Sequence, residues 1–473
     1  MKDDTQAREG TFDIAVIGAG SAGFSAAITA SKAGKCVALI GHGLIGGTCV
    51  NVGCVPSKAM IRAAEAIHGA KAAHRFPGVS GTAQVDDWTA LMAGKDALIS
   101  GLRQKKYADL LPGYDGITYI DEGAATLVEG GVKVGGRMIT APKVIIATGG
   151  RPAMPPIPGI ADVPTLDSTS LLALDTLPES LIFLGGGYIG AELAQMMARM
   201  GVKVTVVCRS RLLPAAEPEV SEALTQVFRD EGITMHCGVT YDACHADGGR
   251  TVLCIEEDGK RLELTADHLV VTAGRSPNTE GLGLAEMGIK TDKRGAIIVG
   301  DDMQTSRPGV FAAGDVTDRD QFVYMAAYGA KLAAKNAFGG AERYNNAAMP
   351  WVVFTDPQVA GVGLTEEQAF AVGHEVKTSV LTLDNVPRAL AARDTRGVIK
   401  LVADAKTDRL LGGVIAAPEG CDSVQTLAMA IKFGMTTKAL GATIFPYLTT
   451  VEGLKLTAQT FDRDVATLSC CAG

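Results

Sequence analysis

A glycine-rich pattern that occurs twice in the 473-residue chain constrains the fold most strongly. Its first copy, FDIAVIGAGSAGFSAAITASKAGKCVALI, reads as a strand, a glycine turn, a helix that Gly34 ends and a second strand. The turn carries Gly18, Gly20 and Gly23 with GxGxxG spacing, which lets a backbone approach a pyrophosphate at a helix N-terminus. We therefore expect these three glycines to bind a dinucleotide.

This first copy lacks one usual feature. An acidic residue at the end of the second strand normally binds a ribose hydroxyl, whereas this strand ends at Gly41 and His42. The ribose must be bound by another residue, or that contact is lost.

The second copy is SLIFLGGGYIGAELAQMMARMGVKVTVVCRS, with Gly185, Gly187 and Gly190 between a strand and a helix. Its second strand runs into Arg209, and Arg211 follows. Arginine at this place favours a 2′-phosphate, and hence NADPH over NADH. The alternative for both arginines is an ordinary solvated surface charge. Two different nucleotide sites in one chain predict a flavin and a nicotinamide.

The remaining segments predict how the chain is divided. KVIIATGGRP (143–152) and LVVTAGRSPN (269–278) look like crossings out of the first domain and back into it. After residue 346 the glycine pattern stops, and antiparallel strands followed by helices are expected. The boundaries follow from these changes: a first domain at 1–155 that resumes at 275–345, a second at 156–274 and a third at 346–473.

Two cysteines follow the first glycine pattern in GGTCVNVGCVPSKAMIRAAEAI. A helical pattern starts at about Val55, so Cys54 lies near a helix N-terminus, where the dipole favours a thiolate. Four residues separate Cys54 from Cys49, which leaves room for an unstrained disulfide. Such a pair beside a flavin fold can exchange two electrons with the flavin; the alternative is two unrelated core cysteines. Six further cysteines are expected to be small buried side chains: 36, 208, 237, 244, 254 and 421.

Composition excludes several classes of protein. The net charge is −8 and no basic block occurs, so nucleic-acid binding has little support. No apolar run reaches the ~18 residues that span a membrane. The polar start MKDDTQAREG lacks the apolar stretch of a signal peptide. A cytoplasmic location is therefore expected.

At these motifs the chain resembles the flavin-dependent pyridine nucleotide–disulfide oxidoreductases, through GGTCVNVGCVPSK, GGGYIGAE, ATGGRP and VFAAGD. The resemblance covers nearly the whole chain. It implies a glutathione-reductase-like α/β fold with two Rossmann-like dinucleotide-binding domains, the first for FAD and the second for NADPH. It also implies a C-terminal α+β dimerisation domain, and hence a homodimer whose active site is shared between subunits.

The resemblance also assigns roles by position. It implies that Cys54 contacts the flavin, that Cys49 is the outer, exchanging thiol, and that Tyr188 gates the nicotinamide. Lys58 would lie near the flavin and pair with Glu192. Further flavin contacts are implied at Ala22, Thr48, Ala124, Asp315 and Val323.

The C-terminal dimerisation domain, or interface domain, departs from that of the disulfide reductases of this family. They carry a His-Pro pair whose histidine transfers protons, whereas ATIFPYLTTVEGLKL keeps Pro446 but places Phe445 at the histidine position. All seven histidines lie upstream of this segment, so reduction of an organic disulfide is not expected. Tyr447 is either a buried core residue or a ligand whose hydroxyl faces the cysteine pair and helps to hold an ion.

The chain ends in LSCCAG, with Cys470 and Cys471 adjacent. Neighbouring Cα atoms are ~3.8 Å apart, below the roughly 4.4–6.8 Å of ordinary disulfides, so both sulfurs stay open to one soft ion. With Phe445 and Tyr447, this tail resembles the mercuric reductase branch of the family. We expect Hg(II) as the substrate, captured on the tail of the partner subunit and passed to the inner cysteine pair.

Two alternatives stay open. One is a thioredoxin-reductase-like enzyme whose tail cysteines reduce a protein disulfide, and the other is a thiol-based metal-binding protein on a flavin fold. No cysteine precedes Cys36, so the N-terminal CxxC metal-trapping module of some mercuric reductases is not expected. Small thiols are then the expected mercury carriers.

Overall fold

The structure is a computed structural model that describes residues 11–467, so Cys470 and Cys471 lie outside the described residues. Strands β1–β23 and helices α1–α13 are numbered along the chain. The chain forms two compact units. The first takes the chain up to Ala59, Thr89–Ala153 and Gly274–Asn345, and the second takes Met60–Trp88, Met154–Ala273 and the chain from Asn346 onward.

A five-stranded parallel sheet forms the core of the first unit, in the order β18-β7-β1-β2-β3. Every residue of β1 and β2 is buried, as expected for parallel strands covered on both faces. Helix α1 packs on α8, and Ser25 Oγ donates to Ala327 O at 2.7 Å. The bounds are β1 Ile14–Ile17, β2 Val37–Ile40, β3 Ile117–Ile120, β7 Val144–Ile146, β18 Val310–Ala312, α1 Ser21–Lys32 and α8 Val323–Ala337. The predicted strand, glycine turn and helix are confirmed.

Smaller elements complete the first unit. An antiparallel ribbon pairs β8 (Gly150–Pro152) with β17 (Arg275–Pro277), at the two segments predicted as crossings. A three-stranded antiparallel sheet comprises β4 Ala125–Val128, β5 Gly131–Val134 and β6 Arg137–Thr140. The other helices in this stretch of chain are α2 Gly47–Asn51, α3 Cys54–Lys71 and α4 Trp88–Lys106.

The second unit contains a second parallel sheet, in the order β12-β11-β10-β16-β9. An antiparallel sheet of β13, β14 and β15 shares a buried core with it, centred on Leu184, Val207 and Leu253. The strands are β9 Thr165–Leu166, β10 Ser180–Leu184, β11 Lys203–Cys208, β12 Thr234–Cys237, β13 Thr240–Asp247, β14 Arg250–Glu257, β15 Lys260–Ala266 and β16 His268–Val271. The helices are α5 Ser168–Leu171, α6 Tyr188–Arg199 and α7 Pro218–Asp230.

From residue 350 the second unit becomes antiparallel, as predicted, with strand order β19-β20-β23-β22-β21. Its strands are β19 Pro350–Val353, β20 Gln358–Gly363, β21 Val376–Thr382, β22 Val398–Asp404 and β23 Leu410–Ala417. Its helices are α9 Glu366–Ala371, α10 Pro387–Ala392, α11 Gly420–Lys432, α12 Thr437–Ala442 and α13 Glu452–Gln459. One apolar core joins this sheet to α11, α12 and α13. The predicted fold class is thus confirmed, while the exact domain boundaries stay a prediction.

A buried ion cluster anchors α6 inside the second unit. The Arg199 side chain is 4% exposed and contacts Glu231 at 2.6 Å and Asp356 at 2.9 Å. His68 lies 4.0 Å from a carboxylate oxygen of each, and Arg396 also contacts both. Because both carboxylates are paired with arginines, the cluster satisfies charges that would otherwise be costly to bury.

Candidate active site

The first glycine turn is closed so tightly that side chains do not fit. A Cβ on Gly18, whose φ is +117°, would lie 2.2 Å from Ala147 O. A Cβ on Gly23 would lie 1.7 Å from Gly18 O. These contacts explain the glycine spacing, because the helix must begin directly against the turn if its N-terminus is to face a phosphate.

The same turn meets the segment that carries the cysteines. The backbones of Gly20 and Gly47 approach so closely that a Cβ on Gly47 would lie 2.6 Å from Gly20 Cα. Gly46 N–H donates to Ala19 O at 2.8 Å. The exposed Thr48 and then Cys49 come next in the chain after Gly47, so the contact holds both close to the dinucleotide turn.

A short connection places Cys49 and Cys54 together. Cys49 lies in α2, and Cys54 is the first residue of the 18-residue helix α3. At Gly53 a Cβ would come within 2.9 Å of Thr48 O, so glycine is required for the close return. Asn51 holds this loop by donating to Ile45 O at 3.0 Å and Gly47 O at 2.9 Å.

The structure holds Cys49 and Cys54 as thiols rather than as a disulfide, with Cys49 half-buried and Cys54 exposed. A side-chain hydrogen bond with Cys54, together with burial, raises the pKa of the Cys49 thiol, while the positive charge of Lys58 acts in the opposite direction. The helix N-terminus at Cys54 favours its thiolate. The pair is thus asymmetric, with the proton held on Cys49.

Tyr119 occupies the space left by the missing acid at the end of β2. A Cβ on Gly41 would lie 2.3 Å from the Tyr119 hydroxyl oxygen and 2.7 Å from its ring. Strand β3 brings Tyr119 there, because Leu39 and Tyr119 are partners in parallel register. Burial, with a smaller contribution from Asp121, raises the pKa of Tyr119, so its hydroxyl keeps its proton. Nothing local in the sequence indicated this residue.

The other predicted flavin contacts lie on the same unit. Asp315 follows β18, and its carboxylate accepts from Arg275 Nε at 3.2 Å. Val323 is the first residue of α8, a 15-residue helix. Ala22 faces Gly314, where a Cβ would lie 3.3 Å from Ala22 Cβ. Ala124 is exposed just before β4.

The second glycine turn repeats the geometry of the first. A Cβ on Gly185 would lie 2.7 Å from Thr272 O, and one on Gly190 would lie 2.2 Å from Gly185 O. Gly187 faces open space. Arg209 is exposed just past β11, whereas Arg211 is half-buried and donates to Pro214 O at 3.2 Å and Ala216 O at 2.8 Å. Arg211 is therefore not merely a solvated charge, because it also holds its own loop.

Tyr188 begins α6 and stacks on Trp351, with ring centroids 5.4 Å apart and an interplanar angle of 14°. Burial raises the pKa of Tyr188 to about 12. Glu192, one turn further along, is 6% exposed and accepts from Phe354 N–H at 2.9 Å. Its predicted pairing with Lys58 joins residues of the two units and stays a prediction. Trp351 was not indicated by the sequence, because it stands 163 positions from its stacking partner.

The segment with the missing histidine separates a packed residue from an exposed one. Phe445 packs partly against the apolar core of the interface domain. Tyr447, by contrast, is 56% exposed, so the alternative that it is a buried core residue is wrong. The position of the family's histidine therefore holds the apolar ring of Phe445, which cannot donate a proton, and the hydroxyl-bearing ring of Tyr447 lies at the surface two residues later.

Two family models match this chain. Residues 12–334 match the pyridine nucleotide-disulphide oxidoreductase model, and residues 349–458 match the dimerisation domain of the same family. The chain belongs to this family. Membership implies FAD and a pyridine nucleotide as cofactors. The glycine turns described above fit such ligands because the missing side chains let each helix begin directly against its turn, where its N-terminus can face a pyrophosphate. The dimerisation domain supports a homodimer.

Curated relatives and solved structures extend the likeness. The chain is 45% identical to a mercuric reductase of Staphylococcus aureus, covering 98% of this chain and 85% of that protein. It is also 45% identical to a mercuric reductase of Streptomyces lividans, covering 98% of each. A Cu(II) complex of the HOCl-induced flavoprotein disulfide reductase RclA from Escherichia coli superposes with a TM-score of 0.83 at 30% identity, covering 95% of this chain and 99% of that chain.

Two features are absent from the described residues. Between residues 11 and 467, no group of three or more His, Cys, Asp or Glu could hold a metal ion. In the same range, no helix combines the length and apolar character needed to cross a bilayer.

Proposed function

We propose that this protein is an NADPH-dependent flavoenzyme that reduces Hg(II) to Hg(0) for mercury detoxification. The observation that carries the proposal is a dithiol beside the dinucleotide turn of an enzyme that has Phe445 in place of a proton donor. Relatives at 45% identity that are named mercuric reductases support it.

FAD and NADPH would supply the two electrons, so that NADPH and Hg(II) yield NADP⁺, one proton and Hg(0). Gly18, Gly20 and Gly23 would hold the FAD pyrophosphate, and the Tyr119 hydroxyl would take the place of the missing acid at the ribose. Thr48 and Asp315 are further candidates for flavin contacts. Each of these residues lies in the first compact unit.

The second glycine turn would hold NADPH. Gly187 leaves open space for a pyrophosphate, while Gly185 and Gly190 let the turn and the helix close tightly behind it. Arg209, exposed at the end of β11, would bind the 2′-phosphate, with Arg211 ordering the loop behind it. The stacked ring of Tyr188 would act as the gate over the nicotinamide.

Cys49 and Cys54 would bind the ion before it is reduced. Thiolates are the ligands that soft divalent ions prefer, and two sulfurs suit an ion that favours two-coordinate binding. The positive charge of Lys58 favours negative charge on this pair, although the hydrogen bond with Cys54 and burial still raise the pKa of Cys49. Glu192 would pair with Lys58 and fix its position.

Transfer of the ion between thiols would explain why the family histidine is dispensable. When one sulfur replaces another on the ion, the proton of the incoming thiol can move to the departing sulfur, so no separate acid or base is required. Phe445 is consistent with such an exchange, and the exposed Tyr447 could offer its hydroxyl to the ion on the way.

Cys470 and Cys471, on the tail of the partner subunit, would capture Hg(II) from small thiol carriers and pass it to the inner pair. This step rests on the sequence alone, because both residues lie outside the described part of the chain. It makes the active site a property of the homodimer.

The test is NADPH oxidation by the flavin-loaded homodimer with Hg(II) and excess small thiol, with Hg(0) vapour collected. We expect one Hg(0) per NADPH, and no turnover in Cys49→Ser or Cys54→Ser. A Cys470→Ala/Cys471→Ala variant should keep flavin reduction by NADPH but lose Hg(II) turnover when the small thiol is limiting. Unchanged kinetics of that variant would refute the role of the tail.

Parallel assays separate the alternatives. Turnover with thioredoxin or oxidised glutathione but not with Hg(II) would favour a disulfide reductase, and absence of any flavin bleaching by NADPH would favour a metal-binding protein. Cu(II) belongs in the same series because the superposed RclA structure is a Cu(II) complex. A higher kcat/KM for Cu(II) than for Hg(II) would overturn the choice of ion.

A further inference from the structure

A second pair of thiols lies in the coenzyme-binding domain. Cys208 and Cys237 end the neighbouring parallel strands β11 and β12 and are partners in register. Their sulfurs are 3.1 Å apart. They stand 29 positions apart in the chain. Cys208 is buried, as expected, whereas Cys237 is not fully buried.

The pair lies directly behind the second glycine turn. A Cβ on Gly186 would lie 3.1 Å from Cys208 Cβ and 3.3 Å from Cys208 Sγ. Arg209, the predicted ligand of the 2′-phosphate, is the next residue after Cys208. In parallel α/β sheets, ligands bind at this carboxyl end of the strands. A change at the sulfurs therefore acts on the coenzyme site.

The two thiols differ in access and acidity. Cys208 is 3% exposed, whereas Cys237 is half-buried. The hydrogen bond from Cys208 lowers the pKa of Cys237 to about 7, and the positive charge of Arg229 contributes. The same hydrogen bond and burial raise the pKa of Cys208. Cys237 is thus the accessible thiolate, and Cys208 is the thiol held beside it.

The spacing suits a disulfide better than a bound ion. Adjacent strands lie roughly 4.7–4.9 Å apart, within the Cα range of disulfides, and the sulfurs need to approach by only about 1 Å to reach a bond of ~2.05 Å. A two-coordinate ion about 2.3 Å from each sulfur would instead force them apart to roughly 4.6 Å. The backbone of two hydrogen-bonded strands resists the second movement more than the first.

We propose that Cys208 and Cys237 form a reversible disulfide, on reaction with a small-molecule disulfide, and that this bond weakens binding of the coenzyme. The Cys237 thiolate attacks one sulfur of the small disulfide, whose S–S bond breaks and releases one thiolate. The Cys208 thiol then attacks the Cys237 sulfur, releases the second small thiolate and gives up its proton. Two cysteine thiols and one small disulfide thus become one protein disulfide and two small thiols.

The reason for weaker binding is packing at Gly186. Formation of the bond draws Cys208 Sγ towards β12 and away from the turn it supports, and it shifts the strand end that carries Arg209. Couplings of this kind change affinity by about fivefold or more. The inference does not depend on which ion the enzyme reduces.

The experiment uses the flavin-loaded homodimer, oxidised with glutathione disulfide and then alkylated under denaturing conditions. We expect a Cys208–Cys237 cross-linked peptide that is two hydrogens lighter than the reduced pair. We also expect the Kd for NADP⁺, from titration calorimetry, to rise about fivefold or more and to recover with dithiothreitol. The Cys237→Ser variant controls for oxidation of Cys49 and Cys54, because it keeps that pair of cysteines. After the same oxidation its Kd for NADP⁺ should not rise.

Cys254→Ser, at a half-buried cysteine of the same domain, serves as the matched control and should behave like the parent. Absence of the cross-link in a folded, flavin-loaded sample would overturn the site. A cross-link with an unchanged Kd for NADP⁺ would overturn its effect on the coenzyme. Cys208→Ser should likewise abolish both the cross-link and the rise in Kd. If that variant fails to fold, Cys237→Ser, at the more exposed position, still tests whether the rise in Kd needs this pair.

Discussion

Replacement of Gly23 by alanine should remove FAD from this protein. The added Cβ would lie 1.7 Å from Gly18 O and 2.8 Å from Gly18 C, whereas real Cβ contacts stay above 3.0 Å. Both atoms belong to the backbone of the turn, so no flexible side chain can move aside. Helix α1 must therefore separate from the turn that would hold the pyrophosphate.

The size of the effect follows from this overlap. The gap must open by about 1.3 Å, beyond the single-methylene insertions that cost roughly 1–3 kcal/mol, so we expect more than about 3 kcal/mol. At roughly 2–4 °C per kcal/mol, Tm should fall by about 6–12 °C. FAD content, measured by absorbance against protein, should fall to a small fraction of the parent value.

Two matched glycines test the reasoning. Gly101 lies in α4 with no atom within 4 Å of its Cβ position, so Gly101→Ala should keep FAD and gain roughly 0.5–1 kcal/mol. Gly190→Ala meets Gly185 O at 2.2 Å in the second turn, so it should keep FAD but lose NADP⁺ binding. A Gly23→Ala protein with full FAD content and the Tm of Gly101→Ala would refute the argument.

Three further perturbations follow from particular contacts. Tyr119→Phe should weaken FAD binding about 2- to 10-fold in reconstitution of the apoprotein, the value of one hydrogen bond, and unchanged affinity would exclude Tyr119 as the substitute for the acid. Arg199→Met should lower the free energy of unfolding in urea by about 3–5 kcal/mol, because the carboxylates of Glu231 and Asp356 each lose one partner. The matched change at an exposed arginine, Arg62→Met, should lower it by less than about 1 kcal/mol. Equal losses in the two variants would contradict the argument from burial. Burial lowers the pKa of His68 from its ordinary 6.5, so below that pH the unfolded chain binds more protons than the folded one, and stability falls as the pH drops. His68→Gln should flatten the plot of unfolding free energy against pH in this range. An unchanged slope would assign the pH dependence to other groups.

Much of the fold could be predicted because its signals are local. Gly18 and Gly23, like Gly185 and Gly190, are placed by contacts inside one strand, one turn and one helix, so their spacing is visible along the chain. Cys49 and Cys54 are equally local, since four residues and one short connection separate them. The antiparallel change after residue 346 was also visible, as the loss of the glycine pattern.

The tertiary structure decided what depends on pairing between distant strands. Parallel register placed Tyr119 over Gly41, and it brought Cys237 beside Cys208. Stacking placed Trp351 against Tyr188. None of these partners is near the other in sequence, and side chains that meet across a sheet carry no periodic signature of their own. The amino-acid sequence by itself thus determined two dinucleotide folds, a pair of nearby cysteines and a phenylalanine at position 445, because each is written in consecutive residues. Only the tertiary structure, through sheet register and ring stacking, decided which distant side chains lie beside them.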